Sequence, residues 1–274
     1  VTDKYTVFGN PIAQSKSPII HAMFAKQFGM DIGYDKTFAT PDNFVETIES
    51  FFEDSETKGC NVTSPFKEQV SKWVGELSNN AKLAGAVNTV IRKEDGRFLG
   101  DTTDGPGLVQ DLLRLGVCIK GIRVLLLGAG GAARGVLQSI LNLAPDSLVI
   151  ANRTESKAKL LASLIPQNNF IGIGFDELNS IEQPFDLIIN STTTSLSGEL
   201  PPIADNIISQ STTVYDMSYG DKPTILMYHA QNLGVNNTFD GLGMLVGQAA
   251  ESFYLWKGVR PDVDPVIKTL RSTL

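Results

Sequence analysis

With 274 residues, 42% of them hydrophobic and 19% charged, the chain has room for two ordinary domains around a sizeable core. A net charge of −7 argues against a nucleic-acid binder, which needs a basic face, but leaves open anionic small molecules held by local cations. The two cysteines, Cys60 and Cys118, build no disulfide framework and are expected as small buried hydrophobes; no cluster around His21 or His229 has metal spacing, so no metal site is expected.

No apolar run is long enough to span a membrane and no signal pattern opens the chain, so a cytoplasmic protein is expected. Lys4–Phe8 reads as a first strand. A helix follows from Pro18, with Ile20, Met23, Phe24 and Phe28 on one face, Ser17 as its expected N-cap and Gly29 at its end. Ile32–Ala39 reads as a strand, and a helix opens at Thr40-Pro41 with Phe44, Ile48, Phe51 and Phe52 inward. Gly59–Lys67 holds a third strand punctuated by Pro65; a further helix leads to AGAVNTVIR, paired through Glu94-Asp95-Gly96 with FLGD.

After Asp104 a helix carrying Leu108, Leu112 and Leu113 leads to the stretch Ile122–Leu137, IRVLLLGAGGAARGVL. Its apolar run stops at Gly128 and a helical pattern begins, as in a buried parallel strand feeding a crossover helix. The turn has the G-x-G-x-x-A form, with Gly128, Gly130 and Ala133: a tight turn, a backbone open to a pyrophosphate, and close helix–strand packing. The helix terminus offers free N–H groups to the same anion. The next strand, Ser147–Thr154, ends in Asn152, Arg153 and Thr154, with Lys157 one turn on, where an NAD site would want an acid. Ordinary solvated charge is one reading of Arg153 and Lys157. Cations are disfavoured at a helix start, and a guanidinium grips a 2′-phosphate bidentately, so NADP is expected over NAD.

Alternation continues through a helix at Lys157–Ile165, strands at Phe170–Ile173, Phe185–Asn190 and Thr212–Met217, a helix at Pro223–Leu233, an extended Asn236–Phe239, and helices at Leu242–Trp256 and Pro265–Leu270. Thr192–Pro202, rich in Ser, Thr, Gly and Pro, is the expected mobile loop. The fold class is therefore α/β in two lobes, dividing near Asp101–Gly107.

Three polar clusters stand out, each with two readings. Ser15-Lys16-Ser17 precedes a helix and could hold a carboxylate, or cap that helix. Lys67 lies past a strand end, where α/β folds gather their sites, though most lysines are surface charge. Asp104 in GDTTDGPG could cap the helix behind it, and Asn61, Thr63 and Asn88 could serve turns.

Taken together, FGNPIAQSKSP, NVTSPFKE, LAGAVNT, GDTTDGPG, GAGGAARG, NRT, YDMSY and DGLGMLVGQAA closely resemble the shikimate dehydrogenase family, in order, from Phe8 to Ala250. The resemblance implies an N-terminal α/β substrate domain (1–103), a Rossmann-type NADP-binding domain (104–239), and C-terminal helices (240–274) returning to the first lobe. It implies that Ser15 and Ser17 hold the shikimate carboxylate and that Asn61, Thr63, Lys67, Asn88, Asp104, Tyr219 and Gln248 bind the substrate. Lys67 matches the catalytic lysine and Asp104 its partner. Cofactor contacts fall to Gly128, Ala129, Gly130, Gly131, Ala132, Asn152, Arg153, Thr154, Lys157, Met217 and Gly241. Two departures are Thr102, where Asn is common, and Ser64, where an aliphatic residue is usual.

The implied reaction is reversible, NADPH-dependent reduction of 3-dehydroshikimate to shikimate, on the route to chorismate and the aromatic amino acids, with Lys67 moving the proton. Two alternatives are a quinate/shikimate dehydrogenase of relaxed cofactor choice and a non-catalytic NADP(H)-binding sensor. Lys67 and Asp104 together argue for chemistry. The expected partners are a small-molecule substrate, no nucleic acid and no membrane, in a monomer or homodimer.

Overall fold

A computed structural model describes residues 2–274 and divides the chain into two compact units. The first comprises Val1–Gly107 with Leu245–Leu270, the second Leu108–Met244 with Arg271–Leu274.

In chain order the first unit contains β1 (Asp3–Gly9), α1 (Ser17–Gln27), β2 (Ile32–Phe38), α2 (Phe44–Phe52), β3 (Thr57–Val62), α3 (Lys67–Trp73), β4 (Glu76–Leu77), α4 (Asn79–Ala84), β5 (Thr89–Arg92) and β6 (Phe98–Asp101). Its sheet has the order β2-β1-β3-β5-β6-β4. The β2, β1 and β3 strands run parallel, linked by helices, while β5 turns back antiparallel to β3 and β6 to β5. The hairpin is the one signalled by Glu94-Asp95-Gly96, with Gly96 at φ +84°. One face of the sheet buries Phe8, Phe44, Ile48, Val62, Phe66, Val70 and Val90 in a single cluster, with Phe44 and Phe66 stacked 4.6 Å apart.

Two expectations need correction here. Ser17 is not the N-cap of α1: Lys16 holds that position without a side-chain bond, and the helix begins at Ser17 itself. Pro18 makes this possible, because its fixed φ suits the first turn and it has no N–H to cap. Phe28 is exposed, and the buried face of α1 is Ile20, His21, Phe24 and Ala25.

The second unit contains β7 (Arg123–Leu127), α6 (Gly131–Asn142), β8 (Ser147–Ala151), α7 (Glu155–Ser163), β9 (Phe170–Ile173), α8 (Phe175–Asn179), β10 (Leu187–Asn190), β11 (Thr213–Asp216), α9 (Ile225–Asn232) and β12 (Asn237–Phe239). Every pairing is parallel, in the order β12-β11-β10-β7-β8-β9. Numbered within the unit this is 3-2-1-4-5-6 read from its other edge, the doubly wound order whose switch point lies beside the first strand. Val124 and Leu126 face one core while Leu125 and Leu127 face another, which is why β7 is apolar from Val124 onward. Cys118 is exposed beyond the last turn of the preceding helix, so only Cys60 is a buried hydrophobe.

Three helices carry residues of both units: α5 (Asp104–Arg114), α10 (Leu242–Lys257) and α11 (Asp264–Thr273). Within the first unit, Trp256 of α10 donates to Val90 O at 3.0 Å and packs its ring, tilted by 30°, 4.5 Å from that of Tyr5. The short β4 and α8 had no counterpart among the predicted elements, and Thr192–Pro202 contains a turn of 3₁₀-helix at Thr194–Ser197.

Candidate active site

In the first unit, Pro65 ends the path of β3 and Phe66 is driven fully into the core, so that α3 starts at Lys67. The Lys67 carbonyl accepts from Val87 N–H at 2.9 Å, tying that start to the approach of β5. Lys67 Nζ donates to Asp104 Oδ2 at 2.9 Å; the side chains are 33% and 18% exposed, enough to be reached from solvent. Asp104 stands in the first turn of α5, where a carboxylate also meets the positive end of the helix.

Asn88 fixes the carboxylate from its other side, its Nδ2 donating to Asp104 Oδ1 at 3.0 Å. The Asn88 Oδ1 accepts Thr103 N–H at 2.9 Å, a main-chain donor that settles which way the amide points. Gln248 of α10 accepts from Asn88 Nδ2 at 3.3 Å. One polar network thus gathers Lys67, Asp104, Asn88 and Gln248.

Asn61 joins this network from inside. It is 7% exposed, its Oδ1 accepts from Tyr34 Oη at 2.6 Å, and its Nδ2 donates toward Asn88 O, Thr89 Oγ1 and Ser252 Oγ, each at 3.1 Å. Every polar atom of its amide is engaged by protein. Thr63 is half-buried beyond β3, its N–H held by Phe8 O at 2.9 Å. Ser15 and Ser17 are half-buried before and at the start of α1, and Ser15 Oγ accepts Ser17 N–H at 3.3 Å. Burial pushes the Tyr34 hydroxyl well above its ordinary range, with the Ser17 hydroxyl beside it pulling weakly the other way. Of the two departures, Thr102 is buried with its N–H on Asp101 Oδ1 at 2.8 Å, and Ser64 is exposed.

Sequence reasoning did not single out Tyr34, Thr89, Thr103 or Ser252. Ser252 lies four residues after Gln248, one turn further along the same helix. His21 was noted only for its want of metal partners. It is fully buried, its ring stacked 4.5 Å from Tyr34, and burial holds its imidazole neutral down to about pH 3, the Asn61 amide opposing weakly.

In the second unit, Gly128 has φ +102°, and a Cβ there would lie 2.6 Å from Ser191 Oγ. Gly130 caps α6 in extended conformation, and a Cβ at Gly130 or Gly131 would meet open space. The first turn of α6 holds no acid, and Ala133 is fully buried against the sheet. Ala129 is half-buried and Ala132 exposed along the same turn. Free N–H groups, a positive helix end and side-chain-free backbone fit a pyrophosphate.

At the end of β8, Asn152 Nδ2 donates to Thr154 O at 3.0 Å, closing a turn that leaves Arg153, Thr154 and Lys157 exposed. Glu155, the nearest acid, pairs with Lys159 instead. After β11, Met217 N–H donates to Asn190 O at 3.0 Å, and Gly241 N–H to Ser218 O at 3.0 Å. A Cβ at Gly241 would fall 2.0 Å from Met217 O, so only glycine allows these two segments to touch. Tyr219 is half-buried; burial raises its hydroxyl, and Asp240 adds to the effect. Alone among the expected substrate residues it belongs to this second unit.

Family models cover the chain in three stretches. Residues 7–90 match the shikimate dehydrogenase substrate binding domain, 110–198 match shikimate / quinate 5-dehydrogenase, and 241–271 match the shikimate 5′-dehydrogenase C-terminal domain. A shikimate dehydrogenase (NADP(+)) from Vibrio atlanticus is 50% identical over 273 residues, spanning 99% of this chain and 98% of that one. The chain belongs to the shikimate dehydrogenase family.

Solved structures agree on the architecture. An Ael1 enzyme from Pseudomonas putida superposes with a TM-score of 0.93 at 37% identity, over 98% of both chains. The shikimate 5-dehydrogenase of Thermus thermophilus, solved in complex with NADP(H) and shikimate, gives 0.88 at 27% identity over 100% of both. The shikimate dehydrogenase family thus accounts for both sheets, the substrate unit and the Rossmann-type unit.

Proposed function

We propose that the chain catalyses the reversible reduction of 3-dehydroshikimate to shikimate with NADPH. The observation that carries this is the Lys67–Asp104 pair, held by Asn88 in a chain whose relatives are NADP-dependent shikimate dehydrogenases at half identity. NADPH supplies the hydride.

The turn Gly128–Ala132 and the N-terminus of α6 receive the pyrophosphate. Arg153, with Asn152, Thr154 and Lys157, holds the 2′-phosphate. Met217 and Gly241 serve the nicotinamide end. The Ser15 and Ser17 hydroxyls receive the substrate carboxylate, while Thr63, Asn88, Gln248 and Tyr219 orient the ring. Reduction leaves an alkoxide on the substrate, and the Lys67 ammonium both polarises the carbonyl and delivers the proton that converts alkoxide to hydroxyl. In the oxidative direction the neutral amine takes that proton back. Asp104 orients the Lys67 head group and accepts from a ring hydroxyl.

Asn61 is better read as a support of this machinery than as a contact of the substrate, because its amide is fully engaged by protein. Among the described residues no helix is long and apolar enough to cross a membrane. Cytoplasmic placement and a monomer or homodimer are part of the same proposal.

The test is formation of the reduced cofactor, NADPH or NADH, by purified protein given shikimate or quinate with NADP⁺ or NAD⁺. Turnover strongest with shikimate and NADP⁺ supports the reading. Comparable rates in all four combinations indicate the relaxed quinate/shikimate enzyme, and binding without turnover indicates a sensor.

A further inference from the structure

We propose that Thr89 is a positioning residue, whose hydroxyl fixes the Asn88 amide and through it the Asp104 carboxylate that holds Lys67. The proposal rests on the dehydrogenase reading above and concerns a fully buried side chain of β5 that is shut off from any ligand.

Main-chain groups settle the direction of each hydrogen bond, since they neither flip nor change tautomer. Thr103 N–H can only donate, so the atom of Asn88 that it meets at 2.9 Å is the oxygen. Thr89 Oγ1 lies 2.8 Å from that same oxygen and therefore gives it its proton. Asn88 O can only accept, so the Asn61 atom 3.1 Å away is the amide nitrogen. That nitrogen also faces Thr89 Oγ1 at 3.1 Å, and Tyr34 donates to the Asn61 oxygen at 2.6 Å. The chain of donors runs one way: Tyr34 to Asn61, Asn61 to Thr89, Thr89 to Asn88, Asn88 to Asp104. Lys67 meets Asp104 from the opposite side.

The consequence for Asp104 is specific. A flipped Asn88 would aim its oxygen at the carboxylate and its NH₂ at Thr103 N–H, two like-signed contacts. Thr103 N–H and Thr89 Oγ1 at 2.9 and 2.8 Å, with the Thr103 hydroxyl more distant at 3.3 Å, hold Asn88 Oδ1 against that flip. Ser252 Oγ lies 2.8 Å from Thr89 Oγ1, where either hydroxyl could donate, and it also donates to Gln248 O at 3.1 Å.

Thr89→Val preserves the shape and replaces the hydroxyl by a methyl. It orphans no donor, because Asn61 Nδ2 retains Asn88 O and Ser252 Oγ as acceptors. With one neutral hydrogen bond lost, kcat for shikimate oxidation should fall about 3- to 10-fold. NADP⁺ affinity should hold, and Thr89→Ser should restore wild-type values. Solvent exchange of the Asn88 side-chain amide protons, followed by NMR without substrate, should quicken in Thr89→Val and not in Thr89→Ser. Unchanged kcat in Thr89→Val, unchanged amide exchange, or equal losses in Thr89→Val and Thr89→Ser would each overturn the proposal. If Thr89→Val does not fold, Thr89→Ala against Thr89→Ser makes the same comparison. A wild-type chain inert with shikimate would instead sink the functional reading, while the exchange measurement still decides the role of Thr89.

Discussion

Lys67 Nζ and Asp104 Oδ2 stand 2.9 Å apart although 37 residues separate them in the chain. Two helix starts create the pair: Phe66 locks the first turn of α3 into the core, and Asp104 opens α5. A fully exposed ion pair is worth little, and a sealed one suffers heavy desolvation. This one is partly covered, fixed by Asn88 on its far side, and still reached by solvent.

The proposed role of Arg153 in cofactor choice is open to a direct test. Removing it by Arg153→Ala should weaken NADP⁺ by about 1.5–3 kcal/mol, the worth of a charge-assisted contact, and leave NAD⁺ nearly untouched. Titration of each cofactor against the apo protein measures both values. An equal loss for the two would make Arg153 a structural residue.

The second unit was legible because its signals are local. A continuous apolar run, a glycine with positive φ and a basic strand end lie next to each other in the chain, and the all-parallel sheet follows from them. The first unit was legible in outline, with its hairpin marked by Asp95-Gly96. The capping of α1 was misread because serine before proline looks like an N-cap whether or not its hydroxyl is used. Cys118 was misread because a short apolar side chain carries no mark of which face it will take. Thr89, Ser252 and Tyr34 stayed hidden for a different reason. Their bonds join residues as far apart as 191 positions, as between Asn61 and Ser252, and no periodicity announces such a contact.

The carboxylate pocket is tested best at Ser15. Among the described residues its hydroxyl takes part in a single bond, the 3.3 Å contact from Ser17 N–H, so Ser15→Ala should cost stability only a few tenths of a kcal/mol, below the roughly 0.5–1.5 kcal/mol of a good hydrogen bond. The Michaelis constant for shikimate should rise several-fold while NADP⁺ binding is unchanged. An unaltered shikimate constant would return Ser15 to the loop.

His21 should give the fold an acid-sensitive component. Burial depresses its pKa from 6.5 to about 3, so the unfolded chain binds the proton more readily than the folded one. Its contribution is complete above pH 6.5, declines as the pH falls below that value, and is exhausted near pH 3. His21→Phe keeps a ring against Tyr34 and removes the titration. Its melting temperature should fall less steeply than wild type over that window; parallel slopes would show that His21 plays no part.

The most direct measurement is the turnover of Lys67→Met set beside its shikimate affinity, the latter taken by calorimetry because the Michaelis constant equals it only when chemistry is slow. Methionine keeps much of the stem and removes the charge and the proton. If Lys67 moves the proton, kcat should drop about 10²- to 10⁴-fold, the usual worth of general acid–base catalysis, with shikimate affinity changed far less. A variant that turns over near the wild-type rate while binding shikimate poorly would contradict the account and leave Lys67 a binding residue.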